Sequence, residues 1–275
     1  MGRDAAAALS KTFADCAADK GCAAAFPDMA RRFGALTDRL MKSPLKISVP
    51  DPLSGEPSEA DVTAEMFASI LRLLLYDPDL ASLVPLTVDA LEKGDGRAFL
   101  AQADLATGSA GVIAMGMHMS VFCGEDMQDA KAADGAGTDA GEKVKTAAGP
   151  LPDVESGLFV KEAMAGYARS CSFWPSMPLP DEMKEPVTSE VPLLVLSGAL
   201  DPVTPPANGE RAARGFAHSR HLVAPGAAHS VSNRGCAPRV IAAFLKKPQP
   251  DGLDADCIAK MARPPFFLSF AGPEP

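Results

Sequence analysis

Apolar and polar positions along the chain follow a helical period in the first hundred residues and change character in the second half. Residues 4–19 are Ala-rich and read as a helix, with Gly21 as its expected stop. Pro27-Asp28 restarts a helix over residues 29–41, where Met29, Phe33, Leu36 and Leu40 recur at helical spacing. Residues 45–50 and 59–62 fit a small hairpin around the turn sequence DPLSGEP. The clearest helix of this half spans residues 63–76, with Met66, Ile70, Leu73 and Leu74 on one stripe, and Asp77-Pro78 stops it. Residues 80–93 predict a further helix interrupted at Pro85, and residues 97–103 a short one after the turn Gly94-Asp95-Gly96. The stripe of residues 63–76 is read as helix–helix core. Its alternative is a cleft lined by Met66, Leu73, Leu74 and Tyr76.

In the second half the apolar runs shorten. Residues 111–123, GVIAMGMHMSVFC, alternate poorly and predict a strand covered on both faces, with His118 as a core histidine that finds its own partner. Residues 127–150 are rich in Ala, Gly, Asp and Lys and predict a mobile surface loop. Residues 156–170 predict a helix carrying Phe159, Ala163, Met164 and Tyr167. A Pro-rich approach then leads to the apolar run 192–196, too short for a helix and rich enough in Val and Leu for a buried strand. Asp201 follows in a Pro-flanked turn, and residues 208–216 predict a helix capped near Thr204 or Asn208. Residues 221–224 form a second short strand, Pro225-Gly226 turns the chain, and His229 comes next. Residues 238–245 predict an apolar helix, and residues 264–275 an irregular Phe- and Pro-rich end.

The order is therefore strand, Asp, helix, strand, His. In open α/β sheets, function collects outside the carboxyl ends of the strands. An acid at one strand end and a histidine at the next can meet there. The carboxylate then accepts the Nδ1 proton and orients the ring, leaving Nε2 as a general base. Taken singly, Asp201-Pro202 is also an ordinary turn initiator, and His229 an ordinary loop histidine. His218 and His221 read as surface residues beside the intervening strand.

Residues 191–230, VPLLVLSGALDPVTPPANGERAARGFAHSRHLVAPGAAHS, resemble the C-terminal part of an α/β-hydrolase, of the branch that includes secreted tripeptidyl aminopeptidases and related proline-type aminopeptidases. The resemblance lies in GALDPVTPP, where that family has its triad acid, and PGAAHS, where it has its triad histidine. It implies Asp201 and His229 as second and third triad members, in the chain order Ser, Asp, His. It also implies a partial α/β-hydrolase fold: a helical lid or cap over residues 1–105, then the C-terminal part of the core over residues 106–275. The N-terminal strands and the nucleophile elbow are absent. The implied activity is that of a serine hydrolase, most simply an exported aminopeptidase that releases N-terminal residues or short peptides. An esterase of the same fold, or a truncated non-catalytic fragment or binding module, is the alternative. The family has a similar apolar segment leading into a cysteine and an acidic pair, as in CGED here. Aminopeptidases commonly hold the substrate's free amine with an acidic group, and Glu125 or Asp126 would fill that role. The other readings of that pair are a solvated acidic loop or a helix N-cap by Asp126. Trp174-Pro175 also has a counterpart in the family, which sets the only Trp near the rim of the site or in ordinary packing.

The first triad member is missing. No glycine in the chain has serine two positions on, so G-x-S-x-G does not occur. The nearest look-alike, TGSAG around Ser109, has Thr at the first position and no β-rich run before it. The expectation is that the opening strands and the nucleophile lie upstream of Met1, as a missing N-terminal half that would also be a partner.

Composition narrows the rest. A chain of 275 residues with 47% hydrophobic side chains can build a real core, and aromatics at 6% leave Ala, Leu, Val and Met to fill it. The net charge of −9 without a Lys/Arg cluster argues against nucleic acid and anionic membrane surfaces. No apolar run is long enough for a transmembrane helix, and residues 1–10 lack the apolar core of a signal peptide. No phosphate-binding glycine loop and no zinc-ligand spacing is present, so neither cofactor nor metal is expected. The partner implied is a peptide or ester substrate. Six cysteines permit 15 pairings. The family resemblance favours Cys16–Cys22, Cys123–Cys171 and Cys236–Cys257, and with them a periplasmic or secreted setting. Six reduced, buried thiols are the alternative.

Overall fold

The computed structural model describes residues 2–51, 54–108, 113–127, 161–177, 179–183 and 185–273. The expected loop over 127–150 lies outside them except for Met127, and Ser109 lies outside them too.

The N-terminal half is helical, as its apolar period dictates. Helices α1 (Gly2–Ala18), α2 (Lys20–Ala25) and α3 (Met29–Lys42) lead into a hairpin of β1 (Leu45–Pro50) and β2 (Pro57–Val62). Its antiparallel register runs from Leu45 opposite Val62 to Pro50 opposite Pro57. Helices α4 (Ala64–Leu74), α5 (Pro78–Ala81), α6 (Val84–Glu92) and α7 (Arg97–Gly108) complete this half. Thr63 caps α4, accepting from the Met66 amide at 3.1 Å. Gly21 does not stop the first helix. Asp19 ends α1 and caps α2 by accepting from the Cys22 amide, and Gly21 lies inside α2. A Cβ there would meet Leu268 at 3.1 Å, so the glycine permits close packing rather than a turn.

One hydrophobic cluster unites these helices. Phe13, Phe33, Phe67 and Phe99 form a file with successive ring centroids 5.5, 5.6 and 5.9 Å apart. Ile70 and Leu74 are buried in the cluster, and Met66 and Leu73 pack against it, so four of the stripe residues are core. Phe266 belongs to the same cluster, with Phe267 and Leu268 packed on it, so the C-terminal tail crosses back under the N-terminal helices. Arg263 fixes the crossing by donating to Asp15 at 2.8 Å and stacking on Phe266 at 3.9 Å.

The expected strand over residues 111–123 is instead a helix, α8 (Met115–Gly124). Met119, Phe122 and Cys123 are buried, whereas Met117 and Val121 are exposed, a spacing of three and four that belongs to a helix. Val121 is the only β-branched residue in this element, so little in the local sequence favours an extended chain. Helix α9 (Lys161–Cys171) packs on α8.

The last part holds β3 (Leu193–Gly198), α10 (Pro206–Ala213), β4 (Ser219–Ala224), α11 (Ala237–Lys246) and α12 (Asp256–Ala259). Strands β3 and β4 are parallel, in register from Leu193 opposite Ser219 to Gly198 opposite Ala224. Among the described residues β3 has no partner on its other edge. A second hydrophobic cluster, including Ala224, Val231, Val240 and Ile258, packs behind β4. Three disulfides are formed, Cys16–Cys22, Cys123–Cys171 and Cys236–Cys257.

Candidate active site

Because β3 and β4 are parallel and in register, the loops that leave Gly198 and Ala224 emerge at the same sheet end. Backbone hydrogen bonds join them there. The Ala199 amide donates to the Ala224 carbonyl and the Leu200 amide to the Ala227 carbonyl, both at 3.0 Å. Gly198 is required at this junction, since a Cβ would run into the carbonyl oxygens of Ala227 and Ala228.

This stitching sets Asp201 against His229. Asp201 Oδ2 lies 3.0 Å from His229 Nδ1. Asp201 is 6% exposed and His229 38%, so the acid is sealed in while the ring reaches solvent. The carboxylate is also held by its own turn: the amides of Val203 and Thr204 donate to Oδ1 at 2.8 and 2.9 Å, and the Thr204 hydroxyl donates to Oδ2 at 2.8 Å. Burial alone would raise the Asp201 pKa. The Thr204 and Val203 amides, the Thr204 hydroxyl and the His229 imidazole outweigh it and hold the carboxyl below its usual range. Thr204 is thus drawn to Asp201 and caps no helix; α10 starts after Pro205 without a side-chain cap. With Nδ1 bound to a carboxylate, the neutral imidazole keeps its proton there and Nε2 is the basic atom. Nε2 has no hydrogen-bond partner among the described residues. Ser230, directly after the histidine, has φ 67° and turns the chain sharply into the short helical turn Val231–Asn233.

The helical half reaches this point through Tyr76. Its carbonyl accepts from the His229 amide at 3.1 Å, and its ring stands edge-on to the imidazole with centroids 5.2 Å apart. Arg72 donates to the Tyr76 hydroxyl at 3.1 Å. Burial raises the Tyr76 pKa; the charge of Arg72 opposes this and that of Asp201 adds to it. Between α8 and α9, His118 Nε2 lies 2.9 Å from the Tyr167 hydroxyl. His118 is therefore partnered as expected, but on a helix. Of the residues named as an alternative cleft lining, Tyr76 alone adjoins the histidine.

Glu125 and Asp126 are exposed at the end of α8 and, among the described residues, make no side-chain hydrogen bond or ion pair. Trp174 donates to Ser120 Oγ at 3.1 Å beside α8. His218 is exposed, 3.6 Å from Glu190. His221 is not a surface residue: its Nε2 lies 2.8 Å from the buried Ser197 hydroxyl, under Gly209 of α10. All six cysteines are in disulfides, so none offers a thiolate. No cluster of His, Cys, Asp and Glu suited to a metal occurs among the described residues. No helix among them is long and apolar enough to cross a membrane.

A parallel strand pair with a carboxylate and an imidazole meeting at its carboxyl end is the arrangement of an α/β-hydrolase-like fold. Residues 157–257, the C-terminal portion of the chain, match the family described as TAP-like protein, an α/β-hydrolase family. The match carries the coarse reading of a hydrolase. Among proteins of curated function, none matches this chain.

Proposed function

We propose that this chain supplies the acid and the base of a serine hydrolase that acts as an exported aminopeptidase, releasing N-terminal residues or short peptides. The observation that carries the reading is the 3.0 Å contact between Asp201 Oδ2 and His229 Nδ1, with Nε2 left available. In this scheme Nε2 removes the proton of a serine hydroxyl as the oxygen attacks the scissile carbonyl. The same proton passes to the departing amine as the C–N bond breaks, and water then releases the acyl group by the reverse path. The serine comes from a further segment carrying the opening strands. Among the described residues the other edge of β3 is unpartnered, which favours such a segment, because parallel sheets are normally covered and continued rather than left as isolated pairs. Glu125 and Asp126, exposed just beyond α8, are the candidate anchors for the substrate's ammonium group. Three disulfides favour a periplasmic or secreted setting.

The test is a fluorophosphonate probe followed by assays on aminoacyl and tripeptidyl anilides and short-chain esters. The 275-residue chain is expected to remain unlabelled, and stoichiometric labelling would show a nucleophile within it. A polypeptide that adds a G-x-S-x-G segment to this sequence is expected to label and to cleave anilides, and His229→Ala to abolish turnover. Cleavage of esters alone would replace the peptidase reading with the esterase one.

A further inference from the structure

Asp201 Oδ2 at 3.0 Å and Thr204 Oγ1 at 3.5 Å both act on one atom of the His229 ring, Nδ1, and contacts at one atom leave a partly exposed imidazole free to swing about it. A second support comes from the helical half. Tyr76 follows α4, with its amide bonded to the Leu73 carbonyl at 3.2 Å, and its hydroxyl is held by Arg72. The tyrosine ring is therefore fixed at both ends before it meets the imidazole at 65°. Its carbonyl holds the histidine's own backbone. Just beyond, Arg234 donates to Asp77 at 2.6 Å and to Asp79 at 3.1 Å, tying the same loop to the turn that follows His229. We infer that Tyr76 is a positioning residue for His229: its side chain keeps the imidazole in the rotamer whose Nδ1 faces Asp201 and whose Nε2 is free to take a proton. The inference rests on the acid–base reading of Asp201 and His229 and adds the helical half as a necessary part of it.

The readout is the low-field Nδ1 proton of His229, observed by NMR in the chain carrying ¹⁵N-labelled histidine. It is expected in the wild type and in Tyr76→Phe, which keeps the ring. In Tyr76→Ala it is expected to be lost to solvent exchange. In Tyr76→Leu, which keeps apolar bulk and guards against a variant that does not fold, it is expected to weaken about three- to tenfold. Leu74→Ala opens the buried helical core without touching His229 and serves as the control for plain destabilisation. It is expected to keep the resonance. Full intensity in either Tyr76→Ala or Tyr76→Leu would overturn the inference. Absence of the resonance from the wild type would overturn the acid–base pair itself, a distinguishable failure.

Discussion

Asp201 is an anion in a place where burial opposes charge, and four donors decide the contest. Because its folded-state pKa is lowered, its contribution to stability is complete above the ordinary aspartate value of about 3.9 and is lost as pH falls through the folded value. The melting temperature is therefore expected to drop as pH is taken below about 4, and Asp201→Asn to flatten that acid limb. At neutral pH the same substitution should cost roughly 1–3 kcal/mol. An acid limb unchanged in the variant, followed by circular dichroism, would show that the donors do not act as described. At this scale the sequence was informative where turn residues surround the functional group. Asp201 and His229 stand out because each follows an apolar run and lies among Pro and Gly. Thr204 was misread because its hydroxyl had two possible uses: it could accept from the amides at the helix end, but it donates to the Asp201 carboxylate instead. Tyr76 was legible only as one of four possible cleft-lining residues, and nothing local tied it to His229, since what distinguishes it is a neighbour far along the chain.

Elements were legible in proportion to their period. Residues 29–41 and 63–76 declared themselves because large apolar side chains recur on one face of each. The run leading to Cys123 did not, because Met, Gly and His carry little preference and short apolar runs suit strand and helix alike. Long-range contacts to α9 accompany its helical form: Phe122 packs against Tyr167 with centroids 4.2 Å apart, His118 meets the Tyr167 hydroxyl, and Cys123 is bridged to Cys171. His221 was misplaced for a related reason: the residues of β4 are half-buried, and α10 covers its ring. The junction of β3 and β4 yields a sharper expectation. Gly198→Ala would gain strand propensity but drive a methyl group into two loop carbonyls that cannot move without shifting His229. Overpacking of this kind costs about 1–3 kcal/mol, so the variant should melt lower, and the Nδ1 resonance of His229 should broaden with it. A variant as stable as the wild type would show that the loop has slack.

Across the whole molecule, three disulfides of very different span are formed, one in each hydrophobic cluster and one joining α8 to α9. The separations are 6, 21 and 48 residues for Cys16–Cys22, Cys236–Cys257 and Cys123–Cys171. Constraint of the unfolded chain grows with loop length, giving about 2, 3 and 4 kcal/mol respectively. Removing the bridges one at a time as Cys→Ala pairs should lower thermal stability in that order, as circular dichroism melts would report. An equal effect from all three would assign the stabilisation to local packing instead.

The tail that passes beneath the helices has a consequence for biosynthesis. Arg263 and Phe266 to Leu268 are translated long after the helices they complete, so the nascent N-terminal bundle emerges with an unfilled seam. Its slowest folding step should be the late insertion of that segment.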